Sequence, residues 1–578
     1  MKRFATLATL VFLILASHAR AQTPTTLREY GKRAAERYLN KDFDGAIADC
    51  TKVIELAQDK GQAAAGYMCR GMARSSKGDR DGAIADWTQV IENAPNGPGF
   101  SIAYLFRGAF RSEKGELDGA LADANKFVEL QAGDAGGYSL RGYVLLQKKQ
   151  FDAAIADYNK AIELNPRFVQ AYRSRAQARK GKNDFDGALA DYDKAIEIAP
   201  SGALAYRERG WAKWSKGDID AAIADYNKAI ELDRYDASAY ADRALARNLN
   251  GEIAGVTADF NRAIDLAPRN ARTYDLRGDT RLYRDDYDAA LADYTKAIEL
   301  DPKYDLAYRD RGRVLALKGD LDAALVEFNK AIELDPLEAS YYWARGNIRY
   351  EKGDVAGGDA DYDKAAAQAR TEAAKADYRG DRHRRKDELT SAIIDYTKAL
   401  EQNPRYSDSM LSRAWCHLYL NEGEQSYQDA LSYLKLRGPR DGSAVKAVLV
   451  GYFGLRRSRG DADAQAFLNE WAGQTDKSVW PYPLLGYLRR EIDAPALLTQ
   501  AATYRWRMTE VRTVLAADML LAGQRAPALE HLRWVKANGV KASYEYPLAV
   551  HDLSRAESAP APPATRRPAA PGSARGRP

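Results

Sequence analysis

Histidine, cysteine, carboxylate and arginine side chains are where this chain could do chemistry, and their spacing decides what each can do. Beyond residue 21 only His383, His417, His531 and His551 remain, scattered and without the close spacing a metal site needs. Cys50, Cys69 and Cys416 are too few for a disulfide framework. Cys416 and His417 are sequence neighbours, a pairing that would activate a thiol, but adjacent residues on a helix do not face each other. Carboxylates recur so evenly that no two stand out as an acid–base couple. No glycine-rich phosphate loop follows a strand pattern, and Arg379-Gly380-Asp381 is an arginine and glycine of a repeat followed by an acid. The expectation is a chain that is not an enzyme and holds no cofactor and no metal.

The arginines differ, because they are regular. Twelve of them, from Arg33, Arg70 and Arg107 through Arg345, Arg379 and Arg413, occupy the same place in a recurring pattern. In the first eleven an acid follows sixteen residues later, from Asp49 and Asp86 to Asp361 and Asp395. The spacing predicts an Arg–carboxylate ladder, closed either within a repeat or between neighbouring repeats. A basic stripe meant for an anionic ligand would not be matched by an acid in nearly every copy, so the ladder is read as setting register. Exposed pairs of this kind contribute about 0–1 kcal/mol, whereas removing one partner of a buried pair costs roughly 3–5 kcal/mol.

The elements that carry these residues follow from FDAAIADYNKAIELNP at 151–166. It returns as FDGALADYDKAIEIAP at 185–200 and as YDAALADYTKAIELDP at 287–302, always in a 34-residue register. A fixed period of that length, opened by turn signals and closed by Pro, is the mark of a helix–turn–helix solenoid. Between Ala135 and Phe168, the residues Tyr138, Gly142, Leu145, Phe151, Ala154, Tyr158, Ala161 and Pro166 fall where tetratricopeptide repeats carry aromatic, small, large and Pro residues. The chain therefore resembles the tetratricopeptide repeat (TPR) family. Gly142 and Ala154 let two helices approach closely and Pro166 stops the second one.

The resemblance implies an all-α fold, a right-handed superhelical solenoid of antiparallel helix pairs. The register starts twelve times, at Leu27, Ala64, Ser101, Ala135, Val169, Ala203, Ala237, Ala271, Asp305, Ala339, Ala373 and Ser407. It further implies a ligand groove lined by positions two, five, nine and twelve of each first helix. Carried across, those positions give Tyr143, Arg173, Arg207, Trp211, Trp214, Arg309, Arg313, Asn347 and Tyr350, with Asp275 and Asp279 beside them. Trp211 and Trp214 between Arg207 and Arg309 form the leading contact patch, since aromatic and Arg side chains dominate binding hot spots. Arg309 and Arg313 match one arm of the family's clamp for a C-terminal carboxylate, but Asp275 and Asp279 in the preceding repeat would repel one.

The ends read differently. Residues 1–21 open with Lys2 and Arg3, run apolar from Phe4 to Ala16 and close on Ala19-Arg20-Ala21, the pattern of a secretory signal peptide. That run is shorter than the ~20 residues a span needs, and no Cys follows for a lipid anchor. The expectation is a soluble, exported protein, periplasmic in a Gram-negative cell, with no stable membrane anchor. The net charge of +5 lies in the ends: Lys2, Arg3 and Arg20 at one, Arg566, Arg567, Arg575 and Arg577 at the other. The body between them is close to neutral and carries no nucleic-acid footprint. Cys50 and Cys69 fall in adjacent layers, where they either pair in an oxidising compartment or remain buried thiols.

The repeats are placed within 22–436. From 437 to 555 the register fades into helical layers similar to the C-terminal parts of bacterial envelope TPR adaptors, which implies an adaptor role; these layers would also cap the stack. Residues 556–578, rich in Pro, Ala and Arg, are predicted to be disordered, and their arginines could touch anionic envelope surfaces. The function expected is a scaffold that binds protein or peptide partners in the bacterial envelope. The alternative is a binding protein for cell-wall or secreted polysaccharide, with groove aromatics stacked on sugar rings.

Overall fold

The computed structural model describes residues 26–558 apart from 95–99, 251, 440, 476, 478 and 479. The segment 1–21 predicted to be a signal peptide lies outside the described residues, as does the tail from 559. Among the described residues every regular element is a helix.

Twelve helix pairs follow the 34-residue register. The first helices are α1 (Leu27–Leu39), α3 (Lys60–Lys77), α5 (Ile102–Glu113), α7 (Ala135–Gln147), α9 (Val169–Gly181), α11 (Ala203–Ser215), α13 (Ala237–Leu249), α15 (Ala271–Tyr283), α17 (Asp305–Lys318), α19 (Ala339–Lys352), α21 (Glu372–Arg385) and α23 (Ser407–Tyr419). Their partners are α2 (Phe43–Glu55), α4 (Arg80–Asn93), α6 (Leu117–Leu130), α8 (Phe151–Leu164), α10 (Phe185–Ile198), α12 (Ile219–Leu232), α14 (Ile253–Leu266), α16 (Tyr287–Leu300), α18 (Leu321–Leu334), α20 (Val355–Gln368), α22 (Leu389–Gln402) and α24 (Gly423–Arg437). Nine of the twelve predicted starts coincide with a helix start; α5 and α21 begin within one residue of theirs, and α3 begins four residues ahead of its register.

Turns inside the described repeats share one backbone feature. One residue in the left-handed region precedes the second helix, Gly at 78, 115, 217, 319 and 353, and a polar residue such as Lys149, Asn183 or Asp387 elsewhere. In some repeats an Asp also caps the new helix: Asp42, Asp79, Asp184 and Asp354 each accept from the backbone N–H three residues on, whereas Glu116, Gln150, Glu252, Glu388 and Glu422 form no such cap. Such a cap contributes about 1 kcal/mol.

Packing within a repeat is small against large. A Cβ on Gly142 would meet Tyr158 at 2.9 Å, so the glycine is what lets the fully buried Tyr158 lie against the first helix. The apolar clusters of the repeats are correspondingly small, as in Leu145, Ala154, Tyr158 and Ala178.

The chain divides into two compact units, residues 1–246 and 247–578. The second contains seven further helices: α25 (Ala444–Ser458), α26 (Asp461–Ala472), α27 (Tyr482–Leu488), α28 (Ala494–Ala501), α29 (Arg505–Leu521), α30 (Arg525–Asn538) and α31 (Glu545–Ser558). Helix α31 reaches Ser558, so the first three residues assigned to the tail are helical. One large core, including Trp415, Phe453, Leu468, Leu485 and Leu515, joins these helices to the last two repeats.

Candidate functional site

The arginine ladder exists and is largely buried on its acidic side. Ten of the arginines bind the acid sixteen residues on at 2.5–2.8 Å, all within their own repeat. The twelfth repeat takes part through Arg413 and Asp429, an acid the eleven-copy pattern leaves out. In the eleventh repeat His383 Nδ1 lies 2.8 Å from Asp395 instead.

The same guanidinium also reaches back one layer. Arg141 donates to Asn125, Arg175 to Asn159, Arg277 to Asn261 and Arg345 to Asn329, sixteen residues earlier on the preceding second helix. The carboxylate pairing thus closes within the repeat, and the same guanidinium bonds the preceding layer mostly through a neutral side chain, with Arg209 reaching Asp193 at 2.6 Å as an acidic case. A second base one turn further on, such as Arg74, Arg179 or Arg349, takes the other carboxylate oxygen. In ten of the twelve repeats a tyrosine three residues before the ladder arginine lies under its guanidinium, as Tyr138 does at 5.5 Å from Arg141. A stripe whose arginines are engaged on three sides fixes layer to layer and has no charge left over for a ligand.

On the first-helix face of unit 1 the predicted residues have distinct fates. Tyr143 stands out, 43% exposed. Arg173 makes a two-pronged bond to Glu208 of the next repeat, at 2.7 and 2.8 Å, and Gln177 joins the same carboxylate. Arg207 pairs with Asp236 at 3.4 Å. Trp211 carries the Lys180 ammonium 3.3 Å above its ring, and burial there lowers Lys180 to about 8. Trp214 is not a wall residue: it packs against Ala222, Ile223, Tyr226 and Ala246, and its indole nitrogen is buried. Its ring centroid is 6.3 Å from that of Trp211. The two tryptophans therefore touch, but only Trp211 belongs to the face. Arg309 lies in the other unit.

In unit 2 the face is engaged by the chain itself. Asp310 is buried and holds both Arg309, at 2.6 Å, and Arg313, at 3.0 Å. Oxygens of Asp275, Asp279 and Asp310 lie within 4.8 Å of one another. Tyr304 donates to Asp275 and Tyr294 to Asp279, both at 2.9 Å. Burial and the neighbouring carboxylates push Asp275 up to about 7 and Asp279 up to about 6. The clamp arm matched by Arg309 and Arg313 is accordingly spent on Asp310.

Further along, residues 504–551 return over the first helices of later repeats. Arg505 binds Glu351 at 2.5 Å, and the Ala542 N–H donates to the same carboxylate at 2.9 Å. Arg385 donates to the Lys541 carbonyl at 3.1 Å, and His551 lies 2.8 Å from Asp387. Tyr544 stacks on Trp415 with ring centroids 5.7 Å apart. Asn347 is buried, accepting from Tyr362 at 2.8 Å and also from Arg385, and the Tyr350 hydroxyl is bound to Asp359. Residues 437–555 thus do more than close the end of the stack.

The remaining reactive candidates are placed as firmly. Cys50 and Cys69 form a disulfide with Cα atoms 5.8 Å apart. Cys416 is buried and its thiol is pushed up to about 12 by that burial, while His417 faces Glu422 at 2.6 Å. Asp381 of the Arg-Gly-Asp triplet is buried and accepts from Trp343, Tyr396 and Arg384. The Asp275 cluster and the returning segment are what sequence reasoning missed. The first had a signal, two acids four residues apart on one helix face, but its third member comes from another repeat.

Comparison with known proteins agrees with the repeats. The tetratricopeptide repeat matches over 135–168 and, in a second family model, over 169–201 and 204–236; the TPR repeat matches over 278–319 and 312–353. No curated protein matches the chain. Among solved structures, MamA is 30% identical over 28% of this chain and 94% of its own, with a TM-score of 0.26. Yeast Tom70 is 17% identical over 77% of this chain and 99% of its own, at 0.40. A tetratricopeptide repeat protein from Parabacteroides merdae is 20% identical over 44% and 100%, at 0.39. With one repeat register running from Leu27 to Arg437, the chain belongs to the tetratricopeptide repeat family, whose repeats imply a scaffold for protein–protein interaction.

Proposed function

We propose that this protein is an exported, non-enzymatic adaptor of the bacterial cell envelope that docks a protein or peptide partner on the first-helix face of unit 1. The observation that carries the reading is the contrast between the units. In unit 2, Asp310 holds Arg309 and Arg313, and Glu351 is covered by the returning segment to 5% side-chain exposure. In unit 1 the equivalent helices present Tyr143 and the Lys180–Trp211 pair, and no described element of that unit lies over them. Aromatic and cationic groups are the usual anchors of binding hot spots.

Export is supported by the charged, apolar and small-residue pattern of residues 1–21. No helix among the described residues is long and apolar enough to cross a membrane. A non-enzymatic role is supported by the burial of Cys416 and by the pairing of His383, His417 and His551 with carboxylates.

The test places a photo-crosslinking residue at Tyr143 or Trp211 in the full chain expressed in a Gram-negative host. The reading expects one discrete crosslinked protein from the periplasmic fraction and a mature N-terminus at Gln22. A chain retained in the cytoplasm with an intact N-terminus would remove the envelope part. Crosslinks found only from positions in 504–551 would move the docking surface to unit 2.

A further inference from the structure

Unit 2 contains a cavity of about 520 Å³ between the ends of α19 and α21 and the returning helix α31, within the ~300–1,000 Å³ usual for small-molecule sites. One wall is apolar: Val355, Tyr546, Pro547 and Val550 line it, and Val355 is 49% exposed. The other carries Arg384, Arg385, Lys386 and Lys541.

The charges of this wall are unevenly matched. Arg384 is buried and bound to Asp381 at 3.0 Å, and Asp387, the one acid in the lining, is taken by His551. Lys386 has its acids at 3.5 and 3.9 Å. Arg385 donates only to neutral acceptors, the Lys541 carbonyl, the Asn347 amide oxygen and the Tyr362 hydroxyl. Lys541 is exposed and has no carboxylate partner among the described residues. In a protein most of whose ladder arginines are ion-paired to an acid, a cavity mouth where Arg385 hydrogen-bonds only neutral groups, with Glu351 as the acid near it, and where Lys541 has no acid partner among the described residues is a departure from the pattern.

We propose that this cavity is a binding site for a small carboxylate with an apolar body, its head between Arg385 and Lys541 and its body against Val355, Tyr546 and Val550. The guanidinium fork and the ammonium suit a carboxylate, whose charge-assisted bonds strengthen where water is partly excluded. The apolar wall asks for a body larger than a bare anion. The chain's own tail is a poor occupant, because Arg566, Arg567, Arg575 and Arg577 would add cations to a cationic mouth. The site is independent of the face in unit 1, and its ligand is a small molecule where that face docks a polypeptide.

The test titrates the full-length protein with 4-phenylbutyrate and, separately, with 4-phenylbutyramide, which has the same body and no charge, by calorimetry at low salt. The acid is expected to bind about tenfold more tightly than the amide. Lys541→Glu, at an exposed position, is expected to weaken the acid about tenfold and leave the amide unchanged; Val355→Asp is expected to weaken both. Circular dichroism confirms that each variant keeps its helices. Equal binding of acid and amide, no binding of the acid at millimolar concentration, or full retention by Lys541→Glu would overturn the proposal. Inorganic phosphate displacing the acid at equal concentration would overturn the apolar-body part and leave a bare anion site.

Discussion

Replacing Asp361 tests what holds the two helices of one repeat in register. Its carboxylate is 4% exposed and receives Arg345 Nε at 2.9 Å, Arg345 Nη2 at 2.6 Å and Arg349 Nη1 at 2.8 Å. The two guanidiniums are 15% and 29% exposed. Asp361→Ala removes three charge-assisted bonds and leaves two cations facing each other in a poorly hydrated seam. Removing one partner of a buried pair costs roughly 3–5 kcal/mol, and the partial exposure of the arginines places the loss near the lower end, about 3 kcal/mol. Asp322→Ala breaks the ion pair with Lys352 at a carboxylate 85% exposed, so its cost is about 0–1 kcal/mol. Because solenoid layers open locally, the assay is native-state hydrogen exchange of the α19 and α20 amides. The double replacement Arg345→Met with Asp361→Leu is expected to recover part of the loss, since apolar groups can replace a buried pair. Equal costs for Asp361→Ala and Asp322→Ala would refute the claim that the ladder sets register.

Three further outcomes follow from particular residues. Asp275 is pushed up to about 7 from an ordinary 3.8, so between about pH 4 and pH 7 the folded state binds a proton the unfolded state releases, and stability falls as pH rises through that window. Asp275→Asn is expected to flatten this dependence and to raise the melting temperature at pH 7.5; an unchanged profile would contradict it. The Cys50–Cys69 bridge spans a separation of 19 residues, for which loop closure gives about 3 kcal/mol, so Cys69→Ala is expected to raise exchange in α1–α3 by that amount while α9 is unaffected. Gly278→Ala would put a Cβ 2.7 Å from Tyr294 Cε1; overpacking of about 1–3 kcal/mol exceeds the ~1 kcal/mol gain in helix propensity, which a denaturation midpoint would show as a net loss.

Much of the fold was legible because a 34-residue period places helices, turns and packing residues together. Gly142 opposite Tyr158 and Arg345 opposite Asp361 are separations of sixteen residues, short enough for one repeat to display. What the period cannot display is a contact between distant segments. Arg507 meets Asp285 across 222 residues, and His551 meets Asp387 across 164. Nothing in α15 or α21 marks them as destined to be covered. Position within a repeat likewise gives a helix face but not the reach of a side chain: Trp214 sits at a groove position, yet its ring turns into the space beside Tyr226 and Ala246. The Asp275 cluster was hidden for the same reason, since Asp310 arrives from the next repeat.

The most direct test of the scaffold reading is the affinity of the partner captured by the unit 1 crosslinks, measured for the intact protein and for Trp211→Ala. Trp211 is half-buried and supports Lys180, so its loss removes both an aromatic anchor and the seat of a cation. The account predicts a loss of affinity of about tenfold or more with unchanged helicity. Unchanged affinity for Trp211→Ala, with the same partner lost on replacing Tyr544 or Arg505, would contradict it.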